Sequence, residues 1–149
     1  MYLIDTSVWI PALRRDGPAE IQKRIVQWIS DNVAIITGVV KIELLSGCKT
    51  KGEADLLLDR LKGIMSVGLS ENDYDEAAQF AFQLRKAGST TPVPDLLIAF
   101  AAAKSSSTLV HADSDFKRIA PVLNVETIDL LDEVNQWRAR RKSSPRSAH

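Results

Sequence analysis

Short apolar runs rich in β-branched residues alternate along this chain with longer stretches whose apolar positions recur every three or four residues. That alternation is the signature of parallel strands separated by covering helices. Tyr2 to Asp5 is expected as a first strand and Ser7 to Arg14 as a helix, closed by the turn signal Asp16, Gly17, Pro18. A helix follows from Ala19 to Ser30, with Ile21, Ile25, Trp28 and Ile29 at helical spacing. Val33 to Ile36 reads as a second strand. Thr37 and Gly38 then open a helix carrying Val39, Val40, Ile42, Leu44 and Leu45, which Gly47 ends. Leu56, Leu57, Leu58, Leu61 and Ile64 mark another helix.

In the second half, Ser70 with Asp73 three residues on forms a capping-box signature, and Gly88 is a C-terminal stop. Tyr74, Ala77, Ala78, Ala81 and Leu84 are the expected buried face of the helix between them. The chain turns from Ser89 to Pro94, and Pro94 suits the first position of a helix starting near Asp95. Thr108 to His111 reads as a strand, Asp115 to Ile119 as a short helix, Val122 to Thr127 as a last strand and Leu130 to Arg140 as a terminal helix. No internal repeat is present.

Composition changes this picture in three ways. A chain of 149 residues, 45% hydrophobic and 26% charged, is sized for one domain with its own core. The single Cys48 excludes an intramolecular disulfide and a thiolate pair for zinc; its plain role is that of a small buried apolar residue in a reducing compartment. The opening MYLIDTSVWI carries no positively charged leader, and the longest apolar run, LLIAFAAA, is far below the roughly 18 residues of a membrane span, so a soluble, cytoplasmic protein is expected. The 19 basic and 19 acidic residues cancel, yet no acid follows Glu133. Removing Arg138, Arg140, Arg141, Lys142 and Arg146 leaves 14 basic residues against the 19 acidic ones. The reading is therefore a single domain over 1–137 and a basic, flexible tail over 138–149, which either contacts a polyanion or solubilises the terminus.

The candidate chemistry lies in acids that share one setting. Asp5 follows the run Tyr2, Leu3, Ile4; Glu43 sits in GVVKIELLSG; Asp95 opens LLIAFAAA; Asp113 and Asp115 follow Thr108, Leu109, Val110. If the runs are parallel strands, their carboxyl ends share one sheet edge, where open α/β folds place their sites. Each acid also has an ordinary role. Asp5 suits a helix cap, Glu43 a solvated helix face, Asp95 a first helical turn, and one of Asp113 and Asp115 the cap of the helix carrying Phe116 and Ile119. Gathered together, two such charges ~4 Å apart repel by about 4 kcal/mol at an effective dielectric near 20, a cost that a divalent cation removes. Carboxylates with water are the usual ligands of Mg²⁺, with Mn²⁺ a substitute. Other chemistries lack their residues. Cys48 has no evident histidine partner, no GxxxxGK[ST] or GxGxxG run occurs, and Ser7 stands where the common aspartyl-phosphate phosphatases carry a second Asp.

At these residues the chain resembles PIN-domain proteins, and most closely the small VapC-type toxin ribonucleases of toxin–antitoxin pairs. The resemblance runs from Met1 to about Leu131 on four blocks in the family's order: LIDTSVWI, VVKIELLSG, PVPDLLIAFAA and LVHADSDFKRIA. It implies a PIN-like three-layer α/β/α sandwich with a central, mostly parallel sheet of four to five strands. Its acidic positions fall on Asp5, Glu43, Asp95 and Asp113, with Asp115 as an additional acid. Asp5, Asp95, Asp113 and Asp115 are thereby implied as metal ligands, and Glu43 as a residue that helps bind the metal or positions the attacking water. Thr6 matches the hydroxyl residue beside the first aspartate. His111 departs from the Thr or Ser of many relatives, with a changed hydrogen bond behind the ligands, an RNA contact or a merely structural role as its consequences. The implied activity is a Mg²⁺-dependent endoribonuclease that leaves 5′-phosphate and 3′-hydroxyl ends, dimerises, and pairs with a VapB-type antitoxin that inserts an arginine toward the carboxylates. Arg14, Arg15, Arg85, Lys86, Lys117, Arg118 and the tail are candidate phosphate contacts. The competing readings are a PIN domain that binds RNA or protein without cutting, a metal-dependent phosphoesterase acting on DNA or small molecules, and a structural domain whose acids only cap helices.

Overall fold

Leu3, Ile4, Ile35, Ile36, Leu109 and Val110 are each at most 1% exposed, so the runs that carry them are covered on both faces, as in a parallel sheet between helix layers. The computed structural model describes residues 1–143. Its strands β1 (Tyr2–Ile4), β2 (Ala34–Thr37), β3 (Met65–Val67), β4 (Thr108–His111) and β5 (Thr127–Asp129) form one sheet in the order β3-β2-β1-β4-β5, with every pairing parallel. The register sets Leu3 beside both Ile35 and Leu109.

Helices α1 (Thr6–Leu13) and α2 (Ala19–Ser30) link β1 to β2, and α3 (Gly38–Ser46) and α4 (Lys51–Leu61) link β2 to β3. The long crossover through α5 (Glu71–Lys86) and α6 (Val93–Lys104) then returns the chain to β4 on the far side of β1, and α7 (Phe116–Val122) leads to β5. The result is the expected three-layer α/β/α arrangement. Its consequence for function is topological. The chain moves outward one way from β1 and the other way from β4, so a crevice opens at the carboxyl ends of these two neighbours.

The capping box forms as its sequence signature demands: Ser70 N–H donates to Asp73 Oδ2 at 2.8 Å and Asp73 N–H to Ser70 Oγ at 3.3 Å. Gly88, at φ +81°, supplies the left-handed residue after α5. The closest backbone approach is at Gly17, where a Cβ would stand 2.1 Å from the Pro11 carbonyl oxygen.

Four expectations need correcting. Strand β3 has no counterpart among the expected strands: α4 stops at Leu61, short of Ile64, and β3 is a short edge strand of exposed and half-buried residues without the β-branched run that marks the others. The last strand begins five residues and ends two residues later than expected, since α7 runs on through Pro121 to Val122 and Asn124 turns the chain at φ 53°. Of the expected face of α5, Ala77, Ala81 and Leu84 pack against the core, whereas Tyr74 and Ala78 are exposed and Phe80 packs in addition. Pro94 occupies the second position of α6, one residue inside the expected start.

The terminal helix α8 (Leu131–Ser143) extends past Arg138 into the segment read as a tail; residues 144–149 of that segment lie outside the described residues. It is held to the α1–α2 loop by Trp137 Nε1, which donates to the Asp16 carbonyl at 2.6 Å, and by an Arg141–Asp16 ion pair at 2.5 Å. Arg141 also lies over the Trp137 ring, 5.1 Å from its centroid.

Candidate metal centre

Asp5 leaves the end of β1 in an extended conformation and caps α1, so one residue ends a strand and starts a helix. Its backbone N–H continues the ladder to Val110 O at 2.9 Å. Its side chain is 4% exposed and accepts from Ser7 twice at Oδ2, from the backbone N–H at 2.9 Å and from the hydroxyl at 2.5 Å. The Ser7 hydroxyl in turn accepts from Ala112 N–H, just past β4, at 2.9 Å. Ser7 therefore ties the carboxyl ends of β1 and β4 together and orients Asp5 between them.

Asp113 follows at the end of β4 and accepts from Asp115 N–H at 2.9 Å, an Asx turn that leads into α7. Of the two candidates for capping α7, Asp115 stands at the cap position but makes no side-chain capping bond. Asp95 lies in the first turn of α6, whose Ile98, Ala99 and Ala102 are fully buried, so the helix is anchored in the core and its acid faces the crevice. Asp95, Asp113 and Asp115 each offer a carboxylate oxygen within 4.8 Å of the others. Asp5 and Glu43 are not members of that set of three, but both press electrostatically on Asp95.

The electrostatics express the crowding. Asp95 is pushed up to about 7, first by loss of water and then by the charges of Asp5, Asp113, Asp115 and Glu43. Asp5 is raised as well, burial outweighing the Ser7 bonds that favour its ionised form. Glu43, on α3, is held at Oε2 by the Thr6 hydroxyl, which joins the first turn of α1 to α3. Among the described residues one cation pairs with the group: Arg118 Nη2 lies 2.5 Å from Asp115 Oδ1.

His111, the last residue of β4, is 1% exposed and packs against Phe116 with ring centroids 5.1 Å apart. Its Nδ1 accepts a long 3.4 Å bond from Asp113 N–H, and burial depresses its proton affinity, so it stands as a neutral ring behind Asp113. The side chain is thus enclosed rather than presented at the crevice.

Hard oxygen donors at this spacing suit a small divalent cation. The carboxylate oxygens of Asp95, Asp113 and Asp115, within 4.8 Å of one another, would supply the oxygen donors such an ion takes. Beside the centre, α1, α3 and α4 frame a groove of about 510 Å³ that reaches Glu43 and is lined by Ile10, Leu13, Leu44, Leu56 and Leu57. Cys48 lines it too, half-buried and free rather than enclosed in the core.

Ser7 was noted in the sequence only as a missing second aspartate. Its signal was the triplet Asp5, Thr6, Ser7: a hydroxyl two residues beyond a strand-end acid is placed to bond that acid across the first helical turn. The pairing of Arg118 with Asp115 had the i, i+3 spacing as its signal.

Comparison with known proteins places this geometry. The PIN domain family model matches residues 2–121. The VapC ribonuclease Mb1587 of Mycobacterium bovis and the ribonuclease VapC11 of Mycobacterium tuberculosis are each 31% identical over 131 residues, covering 85% of this chain and 96% of the relative. Among solved structures, VapBC2 of Rickettsia felis bound to a DNA fragment from its promoter matches at TM-score 0.70 and 24% identity, over 86% of this chain and 97% of that one. DNA-bound VapBC of Salmonella typhimurium matches at TM-score 0.71 and 17% identity, over 86% and 96%.

Proposed function

The chain belongs to the PIN domain family, and we propose that it is a Mg²⁺-dependent endoribonuclease, the toxin of a VapBC-type pair. The observation that carries the reading is the grouping of Asp95, Asp113 and Asp115 beside buried Asp5 in the crevice between β1 and β4. The ribonuclease names of the 31%-identical relatives support the same substrate class.

Asp5, Asp95, Asp113 and Asp115 would hold the ion, with Mn²⁺ as a substitute. When bound, it supplies charge neutralisation at the phosphodiester and a lowered proton affinity for the attacking water. The protein's own residues do the rest. Asp95, titrating near 7 when crowded, is ionised as the site fills. Ser7 keeps Asp5 in place through a bond to each of the two strand ends. Thr6 occupies Oε2 of Glu43, whose other oxygen accepts no hydrogen bond among the described residues and is available to take the proton from water. Solvent at the open crevice receives the proton from Glu43 and supplies one to the departing 3′ oxygen, which completes hydrolysis and leaves 5′-phosphate and 3′-hydroxyl ends.

The partner in this reading is a VapB-type antitoxin, supported by the VapBC assemblies among the structural neighbours. The apolar groove that reaches Glu43 offers it buried area next to the acids. An antitoxin arginine directed at the carboxylates would relieve the repulsion that the cation otherwise relieves. Unchanged antitoxin affinity in Asp5→Ala and Asp95→Ala would remove that arginine. Pairing with a second copy of the chain belongs to the same proposal. No helix among the described residues is long and apolar enough to cross a membrane.

The experiment is cleavage of a mixed pool of structured RNAs by purified, antitoxin-free protein and its Asp5→Asn variant in Mg²⁺, Mn²⁺ and EDTA. Metal-dependent cutting by the wild type alone is the expected result. No cutting by either protein would overturn the enzymatic reading in favour of a PIN domain that binds without cleaving.

A further inference from the structure

We propose that Arg118 is a substrate-positioning residue that grips a phosphate of the RNA strand beside the acidic centre, an inference that rests on the ribonuclease reading. The problem it solves is physical. Asp95, Asp113 and Asp115 have carboxylate oxygens within 4.8 Å of one another, with Asp5 at the neighbouring strand end and Glu43 bonded to Thr6 beside it, and a polyanion approaching them is repelled by every charge that a single divalent ion leaves uncompensated. Some fixed cation at the rim must draw the strand in. Among the described residues, Arg118 is the cation that pairs with a member of the group, at 2.5 Å from Asp115 Oδ1. The neighbouring Lys117 turns away to Asp129 at 3.1 Å. No described side chain engages the other Arg118 nitrogens, and 58% of the side chain is exposed, so N–H donors remain presented to solvent at the mouth.

Stability does not account for this arrangement, because an exposed i, i+3 pair contributes little to a fold. Positioning does. The bond to Asp115 restricts a side chain that is otherwise costly to immobilise, and a guanidinium anchored through one nitrogen keeps the flat, forked face that matches two phosphate oxygens. Asp115 thereby links the two functions: its Oδ1 accepts from the guanidinium, and its carboxylate has an oxygen within 4.8 Å of those of Asp95 and Asp113.

The test combines cleavage kinetics in Mg²⁺ with binding of a labelled single-stranded RNA in Ca²⁺ across a salt series, for wild type, Arg118→Gln, Arg118→Lys and the control Lys117→Gln. Arg118→Gln is expected to raise KM about tenfold with kcat within about twofold, and to lower the slope of log affinity against log salt by about 0.7, the value of one phosphate contact to a single strand. Arg118→Lys should recover part of both, Lys117→Gln should match wild type, and the exposed position should leave thermal melting unchanged. An unchanged KM and salt slope, whether or not the Mg²⁺ requirement shifts, would overturn the proposal and leave Arg118 as a neutraliser of Asp115. Absence of cleavage by the wild type would defeat the ribonuclease reading separately, and the binding slope would still decide whether Arg118 holds a phosphate.

Discussion

Replacing Asp95 with asparagine measures how much the metal-free centre strains the fold. The carboxyl is raised from 3.8 to about 7, a difference of roughly 3 units, or about 4 kcal/mol at 1.36 kcal/mol per unit. Asp95 is only half-buried, and solvent screening reduces that to ~2 kcal/mol. The sign follows from proton binding. Between about pH 4 and 7 the native state holds the Asp95 proton that the unfolded chain has released, so stability falls as pH rises through this window and the full penalty is present above pH 7. Asparagine removes the charge at nearly constant shape. In EDTA at pH 8, Asp95→Asn should therefore be more stable than wild type by ~2 kcal/mol, a rise in Tm of about 6 °C for a chain of this length. At pH 4.5 the gap should close to under ~1 kcal/mol. Saturating Mg²⁺ should raise the wild-type Tm more than the variant's, because the ion binds the full carboxylate set. Thermal melts of both proteins across pH 4.5 to 8, with and without Mg²⁺, provide the check. A variant no more stable than wild type at pH 8 in EDTA would show that the acids do not repel one another as this geometry requires.

Three further outcomes follow from the same structure. Ser7→Ala removes the hydroxyl that donates to buried Asp5 and accepts from Ala112 N–H, so it should lower stability in urea unfolding by about 1–3 kcal/mol and depress cleavage as well. Glu43→Gln keeps the shape of the side chain held by Thr6 but gives up its proton acceptor, and RNA cleavage should fall by ~100-fold or more with thermal melting unchanged. Gly17→Ala places a methyl 2.1 Å from the Pro11 carbonyl, and the forced backbone shift should cost ~1–3 kcal/mol in denaturant unfolding and loosen the Asp16 contacts that hold α8.

The fully buried strands were legible because burial on both faces leaves no polar alternation: Leu3, Ile35 and Leu109 sit in runs that no surface element could carry. The capping box at Ser70 and the stop at Gly88 were legible because their physics is local, a side chain meeting backbone three residues away and a left-handed residue ending a helix. The edge strand β3 escaped, and the bounds of edge strand β5 were displaced, for the complementary reason. Each is three residues long and has one strand neighbour, so pairing rather than hydrophobicity defines it. Tyr74 shows the limit of periodicity, since helical spacing names a stripe of residues while packing against the core selects which part of it is covered.

For the centre, the sequence by itself determined the inventory and its local settings: Asp5 ending a strand, Asp95 opening an apolar helix, Asp113 and Asp115 following a strand. Those positions depend on backbone preferences within a few residues. Tertiary structure alone decided that β1 and β4 are neighbours, that Ser7 bridges their ends, and that three carboxylates meet within 4.8 Å with Arg118 at their edge. Strand order and register are outcomes of burying all the helices and strands at once, and electrostatic coupling between carboxylates falls with a distance that no spacing along the chain contains.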